Sequence, residues 1–387
     1  MAASRKEEIE RKIEEARFRL GPVRVDPWLG LREAAYVRTF VAQGTGTTND
    51  FTATVGAGLR GYLRMGRKVI WSAEALPEYA WWQEQSERRR VNGRYGLTLD
   101  GFFNRLTLQA GARREEQQRV VTPEVPDPVS GRTDEIRLEA ELRMTGALSA
   151  YAGGTASEQD NLVDDLGDPR AEALDRLDRE ERTVRGGVRW RPREPWLVGL
   201  GVEQTRTDFE GASFDLSNSG TSPALEVRFD SRRLTLLTNV AARSLEARRG
   251  SLFVDYDGVT GNAGVALKGR TLQGWLYGNR NLIYSVLGGY AYFEDERVGA
   301  ALALRLGRRS QARVFAETGT NDYTAFSPAT PALSEDVFSY GGGIGLTLPG
   351  SILFEIQALR SEFDANLPGA DRSYTTVGTT VSFFGGR

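Results

Sequence analysis

Between Asp134 and Met144 the chain reads DEIRLEAELRM, with Ile136, Leu138, Ala140, Leu142 and Met144 on one parity and Arg137, Glu139, Glu141 and Arg143 on the other. A strand sends successive side chains to opposite faces, so this segment has one apolar face and one densely charged face. Wound as a helix, the same apolar positions would scatter around the cylinder. A soluble β-sandwich also alternates, so one such strand does not choose the fold. The choice comes from recurrence: the pattern returns almost to the C-terminus at the length and spacing of a membrane-spanning barrel.

Phe51, Ala53, Val55, Ala57 and Leu59 alternate with Thr52, Thr54, Gly56, Gly58 and Arg60. Leu106, Leu108, Ala110 and Ala112 alternate with Thr107, Gln109, Gly111 and Arg113, and later segments follow the same rule. The strands number about eighteen, and tight connections such as 65–68, 192–195, 231–233 and 307–310 take turns with longer ones, as barrels require. The expected fold is therefore all-β: a single transmembrane antiparallel up-and-down β-barrel over residues 21–387. A short helical segment, 1–20, precedes it on the periplasmic side. Within that segment, Ser4 to Arg17 has only a thin apolar stripe, Ile9, Ile13 and Ala16. It reads as a loose lead-in, with a plug or partner-docking helix as the alternative.

Composition removes several function classes. The 50 basic and 52 acidic residues nearly cancel, which leaves no basic surplus for nucleic acid. With neither His nor Cys, Ser–His, Cys–His and His-metal schemes have no base or ligand, and no disulfide framework exists. Asp164–Asp165 and the short Asp255–Gly258 fragment fall below a calcium loop, and no glycine-rich loop joins a strand to a helix. No catalytic residue, cofactor or metal is expected. No apolar run approaches the roughly 18 residues of a transmembrane helix, although barrel strands do not need one. Met1–Glu8 has no apolar secretory region, so an outer-membrane destination implies that such a signal has been removed.

The charged parity carries the site expectation. Arg94, Asp100, Arg113, Arg137, Glu139, Glu141, Arg143, Arg185, Arg189, Glu226, Arg228, Arg305, Arg313, Glu317 and Glu355 all fall on it. Facing lipid, each would cost about 2–4 kcal/mol near the midplane, so these residues are expected to line the lumen. They would form a polar path, or cross-strand ion pairs that hold the wall. Leu106, Leu108, Ile136, Leu138, Leu142, Val265, Leu267, Leu302 and Leu304 are expected to face lipid. Trp28, Trp81, Trp82, Phe102, Phe103, Trp190, Trp196, Phe338 and Phe383 are expected as interfacial girdles, and Tyr277 and Tyr340 as lumen aromatics. The acidic stretch Glu158–Glu181 is the candidate for a loop folded into the pore.

Gly21, Pro22, Val23, Arg24, Pro27, Leu29, Leu31 and Tyr36 match the opening G-P-[LV]-R-x-x-P-x-L-x-L and its following aromatic. On these residues the chain resembles the β-barrel porins encoded with exopolysaccharide pathways. It departs where Val37–Arg38 replace the family's acidic-Asn pair. The resemblance implies an eighteen-stranded channel of the bacterial outer membrane that passes secreted polysaccharide, with no catalytic residues. The reading is an outer-membrane channel, an exit pore for polysaccharide. A small-solute diffusion porin and a closed structural barrel are the alternatives. Its partners would be outer-membrane lipid, polysaccharide or other small polar solutes, and a periplasmic secretion partner.

Overall fold

A computed structural model describes residues 5–41, 48–119, 121–125, 129–162, 174–211, 214–349 and 352–385. It opens with a helix, α1 (Arg5–Glu15), and a three-residue strand, β1 (Phe18–Leu20), which turns back onto the next strand. Then come β2 (Val23–Val41), β3 (Thr48–Met65), β4 (Val69–Trp82), β5 (Arg90–Phe102), β6 (Leu106–Arg119), β7 (Val129–Arg143), β8 (Leu148–Leu162), β9 (Arg179–Trp190) and β10 (Trp196–Phe209). The second half holds β11 (Asn218–Asp230), β12 (Leu234–Ala247), β13 (Tyr256–Lys268), β14 (Leu272–Tyr284), β15 (Tyr290–Arg305), β16 (Ser310–Ala325), β17 (Ser334–Leu348), β18 (Ile352–Ala365) and β19 (Arg372–Gly385).

Each strand from β2 to β19 pairs antiparallel with the next, and β19 closes on β2, with Thr375 opposite Phe40 and Phe384 opposite Gly30. Setting β1 aside, the ring has eighteen strands and no free edge, which is how strands satisfy their backbone groups in lipid; the β19–β2 seam is irregular between Val377 and Phe383. The all-β barrel with a short N-terminal helix is what the alternation implied.

Side-chain parity follows from the closure. Ile136 and Leu138 are each 60 % exposed, and Leu108, Leu142, Leu267, Leu302 and Leu304 are exposed with them. A water-soluble protein would not leave so continuous an apolar surface bare. It is the face for lipid. Phe103, Trp190, Trp196 and Phe338 also point outward, and Trp81 lies against the outward Phe51.

Three of the expected girdle aromatics turn inward instead. The Trp28 ring lies over Gly30 and Gly56, where an added Cβ would come within 2.5 and 2.6 Å of it. Trp82 is buried, and Phe102 packs under α1. Their parity is the reason: Trp28 alternates with Val25 and Leu29, on the same face as Arg24 and Asp26. Tyr340 is the opposite correction, since it pairs with Phe338 on the outer face, ring centroids 5.5 Å apart. The side chain of Phe383 lies outside the described residues.

The strands also run further than their apolar alternation. β8 extends to Leu162 and β9 begins at Arg179, so both ends of the acidic stretch Glu158–Glu181 belong to the wall. Beyond the apolar band the outward positions carry ion pairs, among them Arg114–Asp134 at 2.7 Å, Arg182–Glu180 at 2.6 Å and Arg206–Asp208 at 2.8 Å. Backbone ladder bonds do not depend on hydropathy, so the wall continues past the membrane where side chains turn polar.

Helix α1 is not a loose lead-in. Ile9 and Ile13 are buried against Tyr62 and Ile70, with Phe102 alongside, on the inner face of β3–β5 near the tight turns. Burying each isoleucine contributes about 1.5–3 kcal/mol before ordering costs. Arg5 adds a 2.6 Å ion pair to Asp100, whose side chain is 1 % exposed. Glu8–Lys12, at 2.8 Å, supports the helix along its outer side.

Candidate functional site: the inner wall and its two constrictions

The register puts all fifteen of the charged residues singled out from the sequence on the inward parity. Eleven of them lie on β5, β6, β7, β9 and β11: Arg94, Asp100, Arg113, Arg137, Glu139, Glu141, Arg143, Arg185, Arg189, Glu226 and Arg228. Arg189 is the centre of this side. It meets Glu139 at 3.6 Å, Glu141 at 3.1 Å and Glu226 at 3.1 Å, three carboxylates from two other strands. Arg185 joins Glu139 at 2.8 Å, and Arg191 joins Glu141 at 3.0 Å. Arg94 and Arg113 share Glu115, a residue the sequence reading left out.

Glycines make these flat contacts sterically available. The Arg189 guanidinium sits 4.2 Å from the centre of the Tyr151 ring. The Tyr151 hydroxyl in turn lies over Gly187 and Gly201, where a Cβ would approach it to 2.9 and 2.3 Å. The result is a shallow relief of guanidinium, carboxylate and phenol on a glycine floor.

The remaining four residues, Arg305, Arg313, Glu317 and Glu355, lie on β15, β16 and β18. Arg313 pairs with Glu355, and Glu317 accepts a 2.9 Å hydrogen bond from the Tyr277 hydroxyl. Between them this side carries rings: Trp275 and Phe315 stand in line with the small inward residues Ala301 and Gly341. The sequence marks Trp275 and Phe315 by parity alone, since each shares its face with Tyr277 or Arg313.

Two features narrow the interior. At the end with long loops, the β14–β15 connection crosses to the β6–β7 connection, eight strands away around the ring. Ser285 Oγ donates to Glu124 at 2.6 Å and the Val286 amide donates to it at 2.8 Å. Val286 also packs with Leu174 and Leu177, beside Val121 and Val125. Burial pushes the Glu124 carboxyl above its ordinary range, while these donors oppose the shift. The expected pore loop, Glu158–Glu181, therefore contributes only its Leu174–Leu177 end among the described residues; its segment 163–173 lies outside them. Glu124 and Ser285 gave no local signal, because their meeting depends on closure of the whole ring.

Next to this contact a cavity of about 370 Å³ is lined by Asn161, Arg179, Thr207, Asn218, Arg243 and Tyr284. Tyr284 is held there by Asn218, which donates to its hydroxyl at 2.9 Å, with Arg179 over its ring at 5.4 Å.

At the other end α1 lies against the inner wall and takes up part of the mouth. A space of about 710 Å³ lies between α1 and the wall at Arg60, Arg94, Arg113 and Arg137. A larger one, about 1770 Å³, lies past Arg5 and Lys6 towards Arg143, Arg191 and Arg228. Among the described residues no group of three or more Asp or Glu is placed to hold a metal ion.

Comparison with solved structures gives the fold a relative. The porin OccK2 (OpdF) of Pseudomonas aeruginosa superposes with a TM-score of 0.56 at 12% identity, covering 93% of this chain and 98% of that one. The same porin in complex with glucuronate gives 0.54 at 12% identity, over 93% and 98%. OccAB4 of Acinetobacter baumannii gives 0.52 at 12% identity, over 92% and 97%. The fold is that of a bacterial outer-membrane porin. No family model and no curated protein matches the sequence.

Proposed function

We propose that this chain is a diffusion channel of the bacterial outer membrane for small polar solutes, with its fifteen inward charged residues among the groups that solutes touch. The observation that carries this reading is the lumen narrowed where Glu124 holds Ser285 and Val286. A polysaccharide exit needs a wide, continuous bore, and a loop contact reaching across the ring works against one. The small-solute alternative therefore replaces the polysaccharide path, and no secretion partner is needed to explain the molecule.

The inner wall favours solutes that combine charge with a flat apolar face. Guanidiniums on β5–β9 suit a carboxylate through paired hydrogen bonds, and the Trp275–Phe315 side suits a ring edge or face. Sugar acids have both. The solved neighbour crystallised with glucuronate carries a ligand of this class.

Planar-bilayer recording tests the proposal. Single channels should conduct, and glucuronate should interrupt the current in a concentration-dependent way, more than glucose does. Passage of a long acidic polysaccharide with no such effect of glucuronate would restore the export reading. No conductance at all would favour a closed structural barrel.

A further inference from the structure

The two ends of the barrel carry opposite charge, although the whole chain is nearly neutral. In the seven described tight connections there are ten Arg and Lys against one carboxylate, Glu194. Among the described residues of the long connections at the other end, nine Asp and Glu face five Arg. The basic residues come largely as doublets, Arg67–Lys68, Arg232–Arg233 and Arg308–Arg309, and all six are exposed. Single Arg105, Arg193 and Arg270 fill the turns between. Among the described residues none of these nine has a carboxylate partner. The tenth, Arg191, reaches inward to Glu141.

We propose that this rim binds the phosphates of anionic phospholipids in the leaflet that faces the tight turns. Three observations favour a lipid annulus over a protein partner. The charge is spread around the circumference, from the β3–β4 turn to the β15–β16 turn, whereas a docked protein would use one sector. The rim lies next to outward rings that mark the headgroup level: Phe103, 41 % exposed, Trp190, 53 %, and Trp196, 37 %. The Lys68 ammonium lies 5.9 Å from the centre of the Phe103 ring, which puts cation and interfacial ring at one level. Unpaired guanidiniums at that depth meet phosphate first, and they hold it with two parallel hydrogen bonds. The acidic loop end repels phosphate, so the same lipid charge would also fix which way the barrel sits.

The test uses the full chain in phosphatidylcholine vesicles with a trace of spin-labelled phosphatidylglycerol or phosphatidylcholine. Motionally restricted label reports lipids held at the protein surface. The protein should prefer phosphatidylglycerol by about fivefold at low salt, falling to parity at high salt. A variant combining Arg232→Gln, Arg233→Gln, Arg308→Gln and Arg309→Gln should lose most of that preference. Arg248→Gln with Arg249→Gln, at the loop end, should keep it. Single-channel conductance checks that each variant is folded. Equal retention of both lipids by the wild type would overturn the proposal. So would a preference unchanged by the turn variant, or binding of soluble peptidoglycan fragments with no lipid preference.

Discussion

On β5, β6, β7, β9 and β11 the inward positions mix guanidinium and carboxylate, whereas along β14–β17 the middle rows carry Trp275, Tyr277 and Phe315 among glycine and alanine. Both sides obey the same parity rule and face the same water. The charged side makes directional contacts that are weakened by salt and shared among several partners, as at Arg189. The aromatic side offers area without charge. A solute touching both must present two different faces, and neither side alone would distinguish glucuronate from acetate or from glucose.

The largest effect should come from placing charge on the wrong face altogether. Leu138→Arg puts a cation into lipid and should cost about 2–4 kcal/mol in a vesicle folding titration, whereas Glu139→Leu, one residue on, should stay within about 1 kcal/mol. Comparable costs for both would mean the two faces have been misassigned.

Next comes the centre of the charged side. Arg189→Glu gathers four carboxylates where one guanidinium held three, so reversal potentials under a salt gradient should move towards cation selectivity. Glucuronate should bind about tenfold more weakly, one ion-paired hydrogen bond's worth. An unchanged glucuronate block would place binding elsewhere in the pore. The aromatic side should respond more mildly: Trp275→Ala should shorten glucuronate dwell about threefold to fivefold and leave acetate unaffected. A shorter acetate dwell would make this side a steric rather than a stacking element.

The smallest effect should be the pH response of the loop contact. Glu124 has a folded pKa raised by burial, so the folded loop binds the proton more tightly than the unfolded chain does. Its contribution is fully present below the unfolded pKa and declines as pH rises through the folded one. The Ser285 contact should therefore hold better in mild acid, with current interruptions lengthening as pH falls. Glu124→Gln should flatten that dependence. A slope that survives the substitution would point to another group, such as Asp178, whose carboxyl burial raises to about 6.

Much of this architecture was legible because side-chain parity is a local property. The strand pattern, about eighteen in number, and the shared face of Arg137–Arg143 follow from residues two apart, whereas closure of β19 on β2 does not. Trp28 was legible too, but a general preference of aromatics for interfaces hid its parity. The strand ends at Glu158–Leu162 and Arg179–Glu181 were hidden for the converse reason: backbone pairing carries on after hydropathy stops alternating. Nothing local joins Glu124 to Ser285, which are 161 residues apart. Helix α1 lay between these cases, since its two isoleucines were visible but the Tyr62–Ile70–Phe102 surface that receives them exists only once three strands have paired.

Seating α1 against the inner wall has an electrical consequence. The helix takes up part of the cross-section of the mouth and adds resistance in series with the loop constriction. Deleting residues 1–20 should therefore raise the single-channel current. An unchanged current would mean that the loop constriction alone sets it.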